Sequence, residues 1–120
     1  MQDCIFCKII AGEIPSKKVF EDELVLAFHD INPMAPVHVI IVPKAEGDNH
    51  INSAHGVSAN NSKYIARIFE VIPQIAKSLG LSDNNGYRVV TNIGKDGGQT
   101  VEHIHFHLIG GERLPISSFA

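Results

Sequence analysis

His103, His105 and His107 alternate with Ile104, Phe106 and Leu108. Successive side chains of an extended chain point to opposite faces, so this spacing lines one face with imidazoles and leaves the other apolar for burial. A helix would scatter the same residues around its axis. Residues 103–109 are therefore read as a strand with one chemical face. The chain holds 7 histidines in 120 residues, and a strand can simply turn such side chains to solvent. Two chemistries compete with that plain reading. Paired imidazoles can ligate a metal, or one can attack an electrophile while its neighbours position the substrate and move protons.

The residues upstream favour catalysis on a phosphate. Asn92-Ile93-Gly94-Lys95-Asp96-Gly97-Gly98-Gln99-Thr100 is rich in turn residues and donors. Glycines let backbone N–H groups approach an anion, and Gln99 and Thr100 add side-chain donors. Asp-Gly-Gly by itself is also an ordinary turn. Imidazole titrates near neutrality and can serve as nucleophile or proton donor. Attack by the central His105 on phosphorus would give a labile phosphoryl- or nucleotidyl-histidine that water resolves. Cys4-x-x-Cys7 is a second chemical feature. Such a pair is read as metal-binding or redox more readily than as a disulfide in a reducing compartment. Two thiols packed as small hydrophobes is the plain alternative.

The elements that must position these groups are strands around one principal helix. Residues 5–10 form a first apolar turn, and 18–20 and 24–29 read as strands flanking Glu21-Asp22-Glu23. Residues 37–42 are nearly all apolar, as in a central strand. Residues 45–61 are polar, with Ser58 placed to cap the helix that follows. Ile65, Ile68, Phe69, Ile72, Ile75, Ala76 and Leu79 carry a helical stripe that Gly80 ends, and Pro73 should kink it. Residues 87–92 and 103–109 supply the last two strands. Strands in runs around one helix argue for an α+β fold with an antiparallel sheet.

Composition limits the function classes. With 44% hydrophobic and 19% charged residues, the chain reads as one globular domain over residues 1–120. A net charge of −3 leaves no footprint for general nucleic-acid binding. No apolar run approaches a membrane span, and Met1-Gln2-Asp3-Cys4 does not open a signal peptide. A cytoplasmic location is the default expectation.

Several blocks in order now point to a family. Cys4-Ile5-Phe6-Cys7-Lys8-Ile9-Ile10 with Glu13-Ile14-Pro15, Phe28-His29-Asp30-Ile31-Asn32-Pro33, Ala35-Pro36-Val37-His38, Gly97-Gly98-Gln99-Thr100-Val101 and the histidine run follow one another. The chain thereby resembles the histidine triad (HIT) proteins, specifically the Hint branch of nucleotide-binding phosphoramidases. That resemblance implies a HIT-like fold with five antiparallel strands, one long helix and a short N-terminal helix. It implies a hydrolase that cleaves the P–N bond of purine nucleoside phosphoramidates, such as adenosine 5′-monophosphoramidate, to AMP and an amine.

The same match distributes roles. His105 would be the nucleophile, His107 would contact the phosphate, and His103 and His38 would support the site and the proton relay. Asp30 would accept from the ribose hydroxyls. Phe6, Ile9, Phe28, His29 and Ile31 would sandwich the base, while Asn92, Gly98, Gln99 and Thr100 would hold the phosphate and leaving group. Some members of the superfamily hold a structural zinc, which places it here on Cys4, Cys7, His50 and His103. Catalysis itself should need no cofactor. A homodimer with a continuous ten-stranded sheet is implied as well.

Two positions depart from the pattern. Thr100 stands where a serine is common, and residues 45–49 look like an insertion that delays His50 and weakens the zinc assignment. Other readings remain open: a dinucleoside polyphosphate hydrolase, a nucleotidylyl transferase, or a nucleotide-binding partner with incidental turnover. The tail from Glu112 to Ala120, including Leu114-Pro115-Ile116, is a candidate lining of the cleft.

Overall fold

The computed structural model describes residues 4–115, so the tail expectation for 116–120 lies outside the described residues. Five strands form one sheet: β1 (Lys18–Glu21), β2 (Val25–His29), β3 (Val37–Pro43), β4 (Arg88–Val90) and β5 (Phe106–Gly110). Their order is β1-β2-β3-β5-β4, with antiparallel pairing throughout. The short helix α1 (Ile5–Ile10) and the long helix α2 (Ser62–Ser78) complete the α+β architecture.

Two apolar layers explain why β2 and β3 are so uniformly hydrophobic. Val25 and Ala27 on β2 and Val39 and Ile41 on β3 pack with Ile68, Val71, Ile72, Ile75 and Ala76 of α2. The alternate residues Leu26, Phe28, Ile40 and Val42 pack with Phe6, Cys7 and Ile9 of α1. A strand covered on both faces has no solvent side to keep polar. The pattern of β5 then becomes legible. Ile104, Phe106 and Leu108 join the α2 layer, which turns the histidines toward α1.

Three boundaries differ from expectation by more than one residue. The last strand begins at Phe106, not at 103. Its ladder with β3 ends at Ile41↔Phe106, and the position that would pair Ile104 is Pro43, which has no N–H to offer. Ile104 N–H bonds the Ile51 carbonyl instead, at 2.7 Å. The fourth strand is shorter than 87–92 because pairing with β5 covers only Arg88 to Val90. The long helix starts at Ser62 with Asn61 as N-cap. Ser58 shapes the preceding turn, its Oγ accepting from Asn60 N–H at 3.2 Å and its carbonyl from Ser62 N–H at 2.9 Å. Pro73 lies within α2 on its exposed side, where the carbonyl it leaves unbonded within the helix belongs to Phe69.

Candidate active site

The layer between α1 and the sheet opens into a cleft of about 990 Å³. Ile5, Phe6 and Ile9 of α1 form one wall, and Phe28, His29, Asp30 and Ile31 another. His38, His105, His107, Thr100 and Val101 close the polar end. A second cavity of about 670 Å³, between Leu81, Tyr87 and Arg88 and the segment Gly111–Leu114, is lined by none of the histidines or cysteines.

Backbone partners decide which ring nitrogen carries each proton. Met34 N–H donates to His38 Nδ1 at 3.1 Å, so His38 is protonated on Nε2. That Nε2–H points to His107 Nδ1, 2.9 Å away. His107 must accept there, and its own proton sits on Nε2. His105 Nδ1–H donates to the His103 carbonyl at 2.7 Å. Its Nε2 therefore keeps a lone pair, the form a nucleophile needs. Burial first, then His105 and His38 as neighbours, pushes His107 down to about 4. Burial also lowers His38 and His105, against the pull of Asp30 and, for His105, the His103 carbonyl. Burial thus favours the neutral form of His38, His105 and His107 in the free cleft, and Asp30 Oδ2 lies 3.4 Å from His38 Nε2.

The imidazoles hold one another and their neighbours edge to face. His105 lies 4.9 Å from Phe6 and 5.1 Å from His107, centroid to centroid. Thr91 Oγ1–H donates to the His105 carbonyl at 2.8 Å, tying the irregular segment before β5 to the end of β4. A bond of this kind contributes roughly 0.5–1.5 kcal/mol and fixes the backbone from which the His105 ring projects.

His103 faces away from the cleft. It is fully buried, and its Nδ1 stands 3.2 Å from Cys4 Sγ and 3.4 Å from Cys7 Sγ. His50 Nδ1 lies 3.7 Å from Cys7 Sγ. The four ligand atoms all fall within 4.8 Å of one another. Both imidazoles donate Nε2–H to a carbonyl, His103 to Pro43 at 2.9 Å and His50 to Glu102 at 2.6 Å. Their Nδ1 lone pairs are therefore turned toward the sulfurs, and the carbonyls orient the rings as outer-shell groups do around a metal. Burial and the Cys4 side chain push the Cys7 thiol up to about 12. Two thiols and two imidazole lone pairs in this arrangement fit a tetrahedral zinc donor set. Residues 45–49 do not carry His50 away. The turn Gly47–Asn49 folds them back, with Asn49 N–H bonded to Glu46 O at 3.0 Å.

Of the other expected site residues, Phe6, Ile9, Phe28, His29, Asp30, Ile31 and Thr100 line the cleft, whereas Asn92, Gly98 and Gln99 are not among its lining residues. Asn92 Nδ2 donates to Gly97 O at 2.8 Å. The Gln99 carboxamide donates to Asn52 O and Val101 O and accepts from Gly94 N–H, at 2.6, 2.9 and 2.9 Å. These side chains brace the loop that presents Thr100. Sequence reasoning missed Met34 and Thr91, because a backbone amide and a lone threonine leave no signal. It also missed Ile14, Pro15 and Lys17 as cleft residues.

An α+β chain whose histidines meet in a cleft on the sheet is the class that fold and site define. The HIT domain model matches residues 11–114, and the chain belongs to the HIT family. It is 42% identical over 113 residues to the purine nucleoside phosphoramidase of Escherichia coli, covering 94% of this chain and 91% of that one. Its structure is similar to a HIT family hydrolase from Clostridium thermocellum, with TM-score 0.88, 43% identity and 96% of each chain covered. A histidine triad protein from Clostridium difficile aligns with TM-score 0.86 and 48% identity, again over 96% of each chain.

Proposed function

We propose that this protein is a nucleotidyl hydrolase that cleaves the P–N bond of purine nucleoside phosphoramidates. The observation that carries the reading is the proton placement on His105: Nδ1–H is held by the His103 carbonyl, leaving Nε2 free to attack. Nε2 forms a bond to phosphorus as the P–N bond breaks, giving nucleotidyl-His105. The leaving nitrogen takes a proton, and water then cleaves the N–P bond to release the nucleotide.

The His107–His38 pair supplies that proton. Burial keeps it neutral in the free cleft. An anionic phosphate entering the cleft favours its charged form, and the Asp30 carboxylate beside His38 helps. His107 Nε2–H contacts the phosphate and delivers the proton to the departing amine; the neutral ring then assists the attacking water. Asp30 binds the ribose hydroxyls, the apolar walls hold the base, and Thr100 donates near the leaving group. Asn92, Gly98 and Gln99 hold the loop that carries it. The relative from Escherichia coli named a purine nucleoside phosphoramidase supports this substrate class.

Cys4, Cys7, His50 and His103 would hold zinc. Zinc there supplies a cross-link between chain segments and no step of the reaction. Two copies would pair through α2 and a sheet edge, as the family resemblance implies.

The test is turnover of an AMP phosphoramidate of a fluorescent amine by the native chain and by His105→Ala. Native turnover that falls by about a thousandfold or more in the variant is expected for loss of a covalent nucleophile. Equal turnover by both would overturn the covalent mechanism. Silence from both, with AMP still bound, would favour polyphosphate hydrolysis, nucleotidyl transfer or a binding role.

A further inference from the structure

The residues of α1 alternate between two jobs. Cys4, its N-cap, and Cys7 face the Cys/His cluster, whereas Ile5, Phe6 and Ile9 line the cleft. At six residues α1 is far too short to hold itself, and it forms no ladder with the sheet. The Phe6 ring lies 4.9 Å from His105 and 5.8 Å from Phe28, so a shift of α1 moves the cleft wall and the support of the nucleophile together. A second path leaves the cluster through His103. Its ring meets both sulfurs, while its carbonyl holds His105 Nδ1–H at 2.7 Å.

We infer that metal bound by Cys4, Cys7, His50 and His103 sets how tightly the cleft binds nucleotide, by fixing α1 and the His103 carbonyl. The inference rests on the nucleotide reading above. One ligand comes from α1 and one from its N-cap, one from the loop after β3 and one from the segment before β5. Without metal, the two cysteines meet the imidazoles through weak thiol–imidazole contacts of 3.2–3.7 Å. The loop and the segment before β5, by contrast, already hold each other through His50 Nε2–H on the Glu102 carbonyl and Ile104 N–H on the Ile51 carbonyl. A Zn²⁺ ion replaces the two thiol protons, which leave to solvent, with four bonds of fixed geometry. His50, Cys4 and Cys7 are then positioning residues. By thermodynamic reciprocity, nucleotide must tighten metal binding by the factor by which metal tightens nucleotide binding.

The experiment is calorimetric titration of AMP into zinc-loaded and chelator-treated full-length chain, with zinc affinity measured by a competing chelating dye with and without AMP. We expect AMP to bind about tenfold more weakly to the metal-free chain, and AMP to tighten zinc binding by a similar factor. His50→Ala removes a ligand that does not line the cleft. It should bind AMP weakly whether or not zinc is added, whereas His50→Cys should restore both zinc and tight AMP binding. This pair keeps the test decisive should the stripped native chain lose its fold. Equal AMP affinity in the loaded and metal-free chains would overturn the inference, as would tight AMP binding by a zinc-free His50→Ala. A native chain that takes no zinc yet binds AMP would sink the inference alone. Failure of AMP to bind any form would sink the nucleotide reading with it.

Discussion

Asp30 serves two neighbours with its two oxygens. Oδ1 accepts from Asn32 N–H at 2.8 Å, and Oδ2 faces His38 Nε2 at 3.4 Å. Because Met34 holds His38 as the Nε2–H form, an amide at position 30 would have to aim a donor at a donor there or surrender the Asn32 bond. Asp30→Asn should therefore lose ribose affinity and disturb the relay together. We expect KM for the phosphoramidate to rise about tenfold, roughly the 1.4 kcal/mol of a charge-assisted bond, with kcat falling as well. Unchanged kinetics would remove Asp30 from the site. His103 teaches a related lesson at the same scale. Its type and spacing place it with His105 and His107, yet its ring meets the cysteines and only its carbonyl meets the His105 ring.

Among the elements, α2 carries a conspicuous cost. Pro73 sits in its interior, exposed, and deprives the Phe69 carbonyl of its helical partner. Proline is about 3 kcal/mol worse than alanine inside a helix, offset in part because it restricts the unfolded chain. Pro73→Ala should therefore raise stability by about 1–3 kcal/mol in urea titration, with turnover unchanged since the residue is far from the cleft lining. A drop in stability would show that the proline sets the line of the helix against the sheet. The stripe on α2 was readable from its sequence because its buried residues recur at helical spacing. The true start of β5 was not, since it is decided by Pro43 on another strand and by the Ile51 carbonyl.

For the whole molecule, two apolar side chains on the α2 side of the sheet are left half covered. Phe69 is 53% exposed, with its ring 5.6 Å from Phe106. Val89 on edge strand β4 is 37% exposed and pairs across from Leu108. If two copies pair there, light scattering should give twice the chain mass, and Phe69→Glu should halve it. A monomeric native chain would refute the pairing. The charge state of the cleft affects the entire fold. His107 is held down to about 4, against about 6.5 in an unfolded chain. Above pH 6.5 both states are neutral and its site costs nothing. As pH falls toward 4 the unfolded chain takes up the proton first, so stability declines by up to about 1.4 kcal/mol per pH unit for this residue. Thermal melts should show Tm falling from pH 7 to pH 5, with a shallower fall in His107→Asn. An identical slope in that variant would contradict the neutral assignment.

The sequence by itself determined the faces of the elements and the family. Period-two alternation around Ile104, Phe106 and Leu108 and the helical stripe of α2 depend only on local geometry and burial. The cleft residues Phe6, Phe28 and Asp30 came with the family motifs, because a motif records the types that chemistry requires. Tertiary structure alone decided where each imidazole points and which nitrogen holds its proton. Those choices depend on the carbonyls of His103, Pro43 and Glu102 and on the amide of Met34. Every residue but proline carries the same backbone donor and acceptor, so no side-chain pattern announces which of them will meet a histidine. Folding brings Cys4, Cys7, His50 and His103 together from across nearly the whole chain, and only the folded path of residues 45–49 shows that His50 reaches them.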